Sequence, residues 1–188
     1  MRSLVDLEEK VWTSGYYVDT PSLFILPMVK EGAKPTKLET FPLDRVIFDM
    51  CFNFEGDLVF SDCAEGSVNI WKDDQVKEVV RLQDWTPMGV HATKEDILVC
   101  MIHTSTCDKK IVRHRQGSTE HFEYDQDGEP LFSDVDETLY IAVNQDSDLC
   151  VSDYGANKGL VLNKSGLLQF TYTGETFLDA EPFGHVAL

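Results

Sequence analysis

The sequence predicts an all-β protein, a β-propeller of four-stranded antiparallel blades. Three observations carry that prediction. One unit recurs along the chain: Asn53-Phe-Glu-Gly-Asp-Leu-Val-Phe-Ser-Asp62 with Gly66-Ser-Val-Asn-Ile-Trp71, then Thr93-Lys-Glu-Asp-Ile-Leu-Val-Cys100 with Lys109-Lys-Ile-Val-Arg113, then Asn144-Gln-Asp-Ser-Asp-Leu-Cys-Val-Ser-Asp153 with Lys158-Gly-Leu-Val-Leu-Asn163. The spacing is that of a blade: 39 residues from Leu58 to Ile97 and 52 from Ile97 to Leu149, with four strand-sized runs in each interval. Helical periodicity is weak throughout.

Each element follows from local chemistry. A polar turn ending in Asp57, Asp96 or Asp148 precedes each second strand. Those strands (Leu58–Ser61, Ile97–Cys100, Leu149–Ser152) are nearly continuous apolar runs, as expected where both sheet faces pack on neighbours. Asp73-Asp74, Gln116-Gly117 and Ser165-Gly166 are turn pairs between extended runs. In the last unit the inner strand falls near Tyr140–Val143, the third at Leu160–Leu162 and the outer at Leu167–Tyr172, where Leu168-Gln-Phe-Thr-Tyr172 alternates as a half-exposed strand does. Upstream, Ser22–Pro27 and Thr36–Phe41 read as strands turned at Glu31-Gly32, while Leu4–Trp12 reads as a short helix or a frayed terminus. The divisions are therefore a tail or short helix over 1–15, a partial blade over 16–45, blades over 46–89, 90–139 and 140–184, and the start of a further blade at 185–188.

Charge and composition narrow the function classes. The 188 residues carry 33 acids against 16 Lys and Arg, a formal charge of −17, which opposes phosphate backbones and anionic lipid. Nucleic acid is an unlikely partner, and no membrane association is expected. No run of 18 apolar residues exists, and acids at positions 6, 8 and 9 stand where a signal peptide needs an apolar stretch; the chain reads as soluble and cytoplasmic. Five cysteines, an odd number without dense spacing, read as reduced thiols. The one basic cluster, Lys109 to Arg115, reads as the solvated face of a strand. Cys100, His103 and Cys107 supply three metal-ligand types where a structural zinc wants four, so no metal and no cofactor is expected.

At this point the strings resemble a known family. Gly56-Asp-Leu-Val-Phe-Ser-Asp62 with Val68-Asn-Ile70, and Asp148-Leu-Cys-Val-Ser-Asp153 with Gly159-Leu-Val-Leu-Asn-Lys-Ser-Gly166 and Phe170-Thr-Tyr-Thr-Gly174, are similar to NHL repeats. They are most like the propellers of the expanded invertebrate group of tripartite-motif (TRIM) proteins, whose full-length members are often ubiquitin ligases with upstream RING and B-box domains. Trp85-Thr-Pro-Met-Gly-Val90 fits the same group. The resemblance covers roughly residues 46–188; Met101, where the other repeats have Asp62 and Asp153, departs from it. It implies a partner-binding propeller, with any ligase activity in a longer parent. Because such propellers usually have six blades, it also implies an open fragment of a larger ring, prone to self-association through exposed blade edges, over a closed four-bladed ring.

Propellers present partners to the loops between second and third strands and to the connections between blades. Those segments nominate Asp62, Glu65, Trp85, His103, Tyr154 and Asn157 as contacts for a protein or peptide. Asp62 and Asp153 also suit turn capping, and Trp85 also suits a wedge between blades. The acidic insert from Asp125 to Glu137 reads as a solvated loop, without the ordered ligand set of an EF-hand. No nucleophile, base and oxyanion set is matched, so the expectation is a module without catalysis of its own. The alternatives are an enzyme of metal-dependent lactonase type using Glu55, Asp57, Asn144 and Asp148, and an RNA-binding propeller.

Overall fold

A computed structural model describes residues 2–5, 10–17, 20–27, 39–41, 45–73, 75–135 and 137–173. They form four sheets of four antiparallel strands, each laid down in chain order. The first sheet is β1 (Arg2–Val5), β2 (Lys10–Tyr17), β3 (Thr20–Pro27) and β4 (Glu39–Phe41). The second is β5 (Ile47–Phe52), β6 (Leu58–Asp62), β7 (Ser67–Lys72) and β8 (Gln75–Arg81). The third is β9 (Trp85–Ala92), β10 (Asp96–His103), β11 (Lys109–Arg115) and β12 (Ser118–Phe122). The fourth is β13 (Leu139–Val143), β14 (Leu149–Asp153), β15 (Lys158–Leu162) and β16 (Leu168–Tyr172). Among the described residues there is no helix, and so none long and apolar enough to cross a membrane.

The sheets stack through their first strands, β1 on β5, β5 on β9 and β9 on β13. This is the wedge arrangement of propeller blades. The core lies between the wedges. Val59, Val68, Val90, Val99, Met101 and Val112 fill the space between the second and third sheets. Leu98, Cys100, Ile111, Leu139, Leu149 and Leu160 are among those that fill the next. Alternation along β10 explains the split: Val99 and Met101 face one neighbour, Leu98 and Cys100 the other.

Several expectations are corrected. Residues 2–5 and 10–17 are strands, not a helix, and Leu4 lies opposite Trp12 in their register; Val11, Trp12 and Thr13 are β-formers that outweigh the weak helical pattern. The first sheet is thus a whole four-stranded unit rather than a tail and a partial blade. The boundary drawn at 89/90 falls inside β9, which starts at Trp85, because Pro87 and Gly89 read as loop residues. The basic cluster is not a solvated face: Lys109, Lys110 and Arg113 on β11 are all buried. Nor is the acidic insert wholly solvated, since Leu131 and Phe132 enter the core. The outer strand β16 is exposed along nearly its whole length rather than on one face. The turn at 31–32, the segment 36–38, the connection 174–183 and the further strand at 185–188 lie outside the described residues.

Candidate functional site

The sheets have two edges. One carries the hairpin turns between first and second and between third and fourth strands. The other carries the loops between second and third strands and the connections from sheet to sheet.

On the hairpin edge, short polar side chains close the turns. The Asn53 carboxamide oxygen accepts from the Glu55 and Asp57 amides, and Asn144 does the same for Asp146 and Asp148. The Thr93 hydroxyl serves Glu95 and Asp96. These are Asx and ST turns. Glu55 and Asp57 pair with Lys72, and Asp148 accepts from the Asn144 side chain. The residues nominated for a lactonase-type metal are thus engaged in turn formation, and the described residues hold no cluster of metal-ligating side chains. Cys100 lies in the core, away from the His103 loop.

On the opposite edge, Asp62 and Asp153 end β6 and β14 with fully buried carboxylates. Asp62 accepts from Arg45 at 2.9 Å and from the Glu65 amide at 3.1 Å. Asp153 accepts from Lys109 at 3.2 Å, and from the amide and hydroxyl of Ser133 at 2.7 and 2.9 Å. Both tie a loop to its neighbour and are too deep to touch a partner directly. In the third sheet β10 runs two residues beyond Met101, so His103 ends the strand. Its Nδ1 accepts from the Ser105 and Thr106 amides, each at 3.3 Å. His103 therefore caps the loop as the aspartates do in the neighbouring sheets, which accounts for the broken repeat at Met101.

Trp85 joins these features. Its ring meets His103 edge-on at 5.1 Å, and the Lys110 ammonium sits 3.5 Å from the ring centre. Glu123 lies 3.7 Å from the same ammonium. Burial pushes Lys110 down from its usual range, against the pull of Glu123. A desolvated cation on an indole face contributes about 2 kcal/mol, so the Trp85 ring is held rigidly. Beside it opens a groove of about 740 Å³, lined by the loop from Cys63 to Gly66, by Arg81 to Thr86 and by Thr104. Arg81 reaches across to the Glu65 carbonyl and forks onto Glu78.

Of the nominated residues, the structure brings Glu65 and Trp85 together at this groove, with His103 behind the indole. Tyr154 and Asn157 lie apart on the β14–β15 loop, where the Asn157 amide donates to the Tyr154 carbonyl. Lys110, Arg81 and Thr104 were not foreseen. The only sequence signal for Lys110 was the basic run, which carries no mark of burial.

No family model matches the sequence, and no curated protein matches it. Solved structures do. The virginiamycin B lyase of Staphylococcus aureus superposes with a TM-score of 0.64 at 17% identity, over 93% of this chain and 55% of that one. A streptogramin B lyase gives 0.57 at 13%, over 93% and 68%. A protein of unknown function from Bacteroides caccae gives 0.52 at 12%, over 85% and 55%. The chain is a β-propeller. It spans about half the length of the Staphylococcus lyase. One expectation is corrected here: a propeller of this form is the body of an enzyme in those lyases, so the fold gives no ground for a module without catalysis.

Proposed function

We propose that this propeller recognises a protein or peptide partner through the edge that carries the Trp85 groove, as the NHL-like strings imply. The carrying observation is the groove itself. It lies between two sheets, takes lining from the loops of both, and has at its side an indole clamped by Lys110 and His103. A rigid aromatic beside a polar rim of Glu65, Arg81 and Thr104 is the composition of an interface anchor. Selection of displayed peptides on the intact chain tests this. Selected binders are expected to lose affinity on Glu65→Lys or Thr104→Arg and to keep it on Asp146→Lys at the hairpin edge. Equal loss on both edges, or on neither, would overturn the proposal.

The lyase-like fold favours a second reading, catalysis on the same scaffold. The catalytically inactive form of the Staphylococcus lyase has been solved with quinupristin. Incubation of this chain with quinupristin, followed by mass spectrometry, tests it: a change in the compound that boiled protein does not produce supports this reading, and an unchanged compound counts against it.

A further inference from the structure

The hairpin edge holds a second feature, unrelated to the groove. Between the third and fourth sheets lies a cleft of about 570 Å³, within the range of small-molecule sites. Its sides come from the β9–β10, β13–β14 and β15–β16 turns and from β11 and β12. Four cations line it, Lys94, Arg113, Arg115 and Lys164, in a chain that is otherwise strongly acidic.

The lining carboxylates do not match them. Asp96 is consumed by Arg115, which forks onto both its oxygens at 2.6 and 3.0 Å. Glu95 also pairs with Arg115, at 3.4 Å. Glu120 takes one terminal nitrogen of Arg113 at 3.1 Å. Arg113 is left incomplete. Its side chain is 10% exposed and its Nε lies 3.7 Å from Asp96. That Nε is the one buried side-chain nitrogen or oxygen without a hydrogen bond among the described residues. A buried donor left unpaired is costly, and native structures seldom keep one without reason. Lys164 has no carboxylate partner among the described residues. Three acids thus face four cations, and the cleft is short of a single negative charge.

We infer that the cleft binds a small monocarboxylate. A single carboxylate supplies the missing charge and suits the guanidinium fork of Arg113. Of the apolar side chains at its base, Leu98 and Leu149 are buried in the core and Val143 is half-buried, so recognition there is by charge. A dianion such as phosphate would overshoot the charge balance.

Amide NMR spectra titrated at low ionic strength test the assignment, with hexanoate as probe, hexanamide as its neutral counterpart and inorganic phosphate as competitor. Hexanoate is expected to shift the Thr93–Asp96, Ser147 and Ser165 amides saturably, while hexanamide leaves them in place. Lys94→Gln and Lys164→Gln remove exposed cations, leave Arg113 and its packing on Phe122 intact, and should each weaken hexanoate about tenfold, the loss of one charge contact of roughly 1.4 kcal/mol. Equal shifts with hexanamide, no saturation, or unchanged affinity in both variants would overturn the inference. Phosphate binding in preference to hexanoate would overturn the carboxylate assignment.

Discussion

At the residue scale, buried ionisable groups set the behaviour. Lys109 and Asp153 are both fully buried side chains joined at 3.2 Å, with Ser133 completing the network. Such a pair adds little net stability, but removing one partner strands the other in a low dielectric. Asp153→Asn is therefore expected to destabilise the chain by about 3–5 kcal/mol, read as a lower urea midpoint; a loss below that of an exposed Asp127→Asn control would refute the argument. The thiols follow the same logic. Burial, reinforced by the Asp49 charge, pushes Cys51 up to about 12, and burial drives Cys100 up as well. Since the thiolate is the reactive form, iodoacetamide should spare both in the native chain and modify them once urea is added. His91 titrates in the opposite sense. Burial pulls its pKa below the ordinary 6.5, so between the two values the unfolded chain holds the extra proton. This contribution to stability is complete above pH 6.5 and declines as pH falls through that window. His91→Gln should flatten the pH dependence of the urea midpoint there, and an unchanged profile would show that the imidazole is not the source.

At the element scale, the inner strands are the critical contacts. A Cβ on Gly89 in β9 would stand 2.7 Å from the Tyr140 Cα and 2.8 Å from the Leu139 carbonyl oxygen. Both are backbone atoms of β13 and cannot rotate away. Over the same strand Phe48 of β5 stacks on Tyr140 at 5.8 Å, and Asp49 accepts from the Val90 amide at 3.0 Å. Gly89→Ala should therefore cost about 1–3 kcal/mol through overpacking, whereas Gly56→Ala, with open space around it, should cost less and only through its left-handed backbone. A urea midpoint for each variant distinguishes close packing from turn strain. These contacts also mark the limit of what was legible. The recurring turn-strand-loop-strand unit revealed the sheets because alternation and turn chemistry are local. It did not reveal that Pro87 and Gly89 lie within a strand, because the need for a glycine there comes from a strand some 50 residues later. The buried state of Lys109, Lys110 and Arg113 was hidden for the same reason: their partners Asp153, Trp85 and Phe122 come from other strands. Of the nominated contacts, Glu65 on the β6–β7 loop and Trp85 at the start of β9 converge because both lie at the edge that carries the second-to-third-strand loops and the sheet-to-sheet connections. The hairpin-edge cleft escaped notice because its cations come from three separate segments, the β9–β10 turn, β11 and the β15–β16 turn.

At the scale of the whole molecule, net charge opposes compaction. A formal −17 spread over stacked wedges is self-repulsion that unfolding relieves. Salt screens that repulsion within about 10 Å at 0.1 M. It also weakens exposed ion pairs such as Lys72 with Glu55 and Arg81 with Glu78, but such pairs contribute only about 0–1 kcal/mol each. The buried Lys109–Asp153 pair is shielded from salt by its depth. Repulsion among many unpaired acids outweighs the few exposed pairs, so sodium chloride should raise the urea midpoint. Asp127→Lys, on an exposed turn of the acidic insert, should raise the midpoint in low salt and shrink the response to added salt. A midpoint that falls with salt would mean that the surface pairs dominate, and the charge imbalance would then be held by the folded state without penalty.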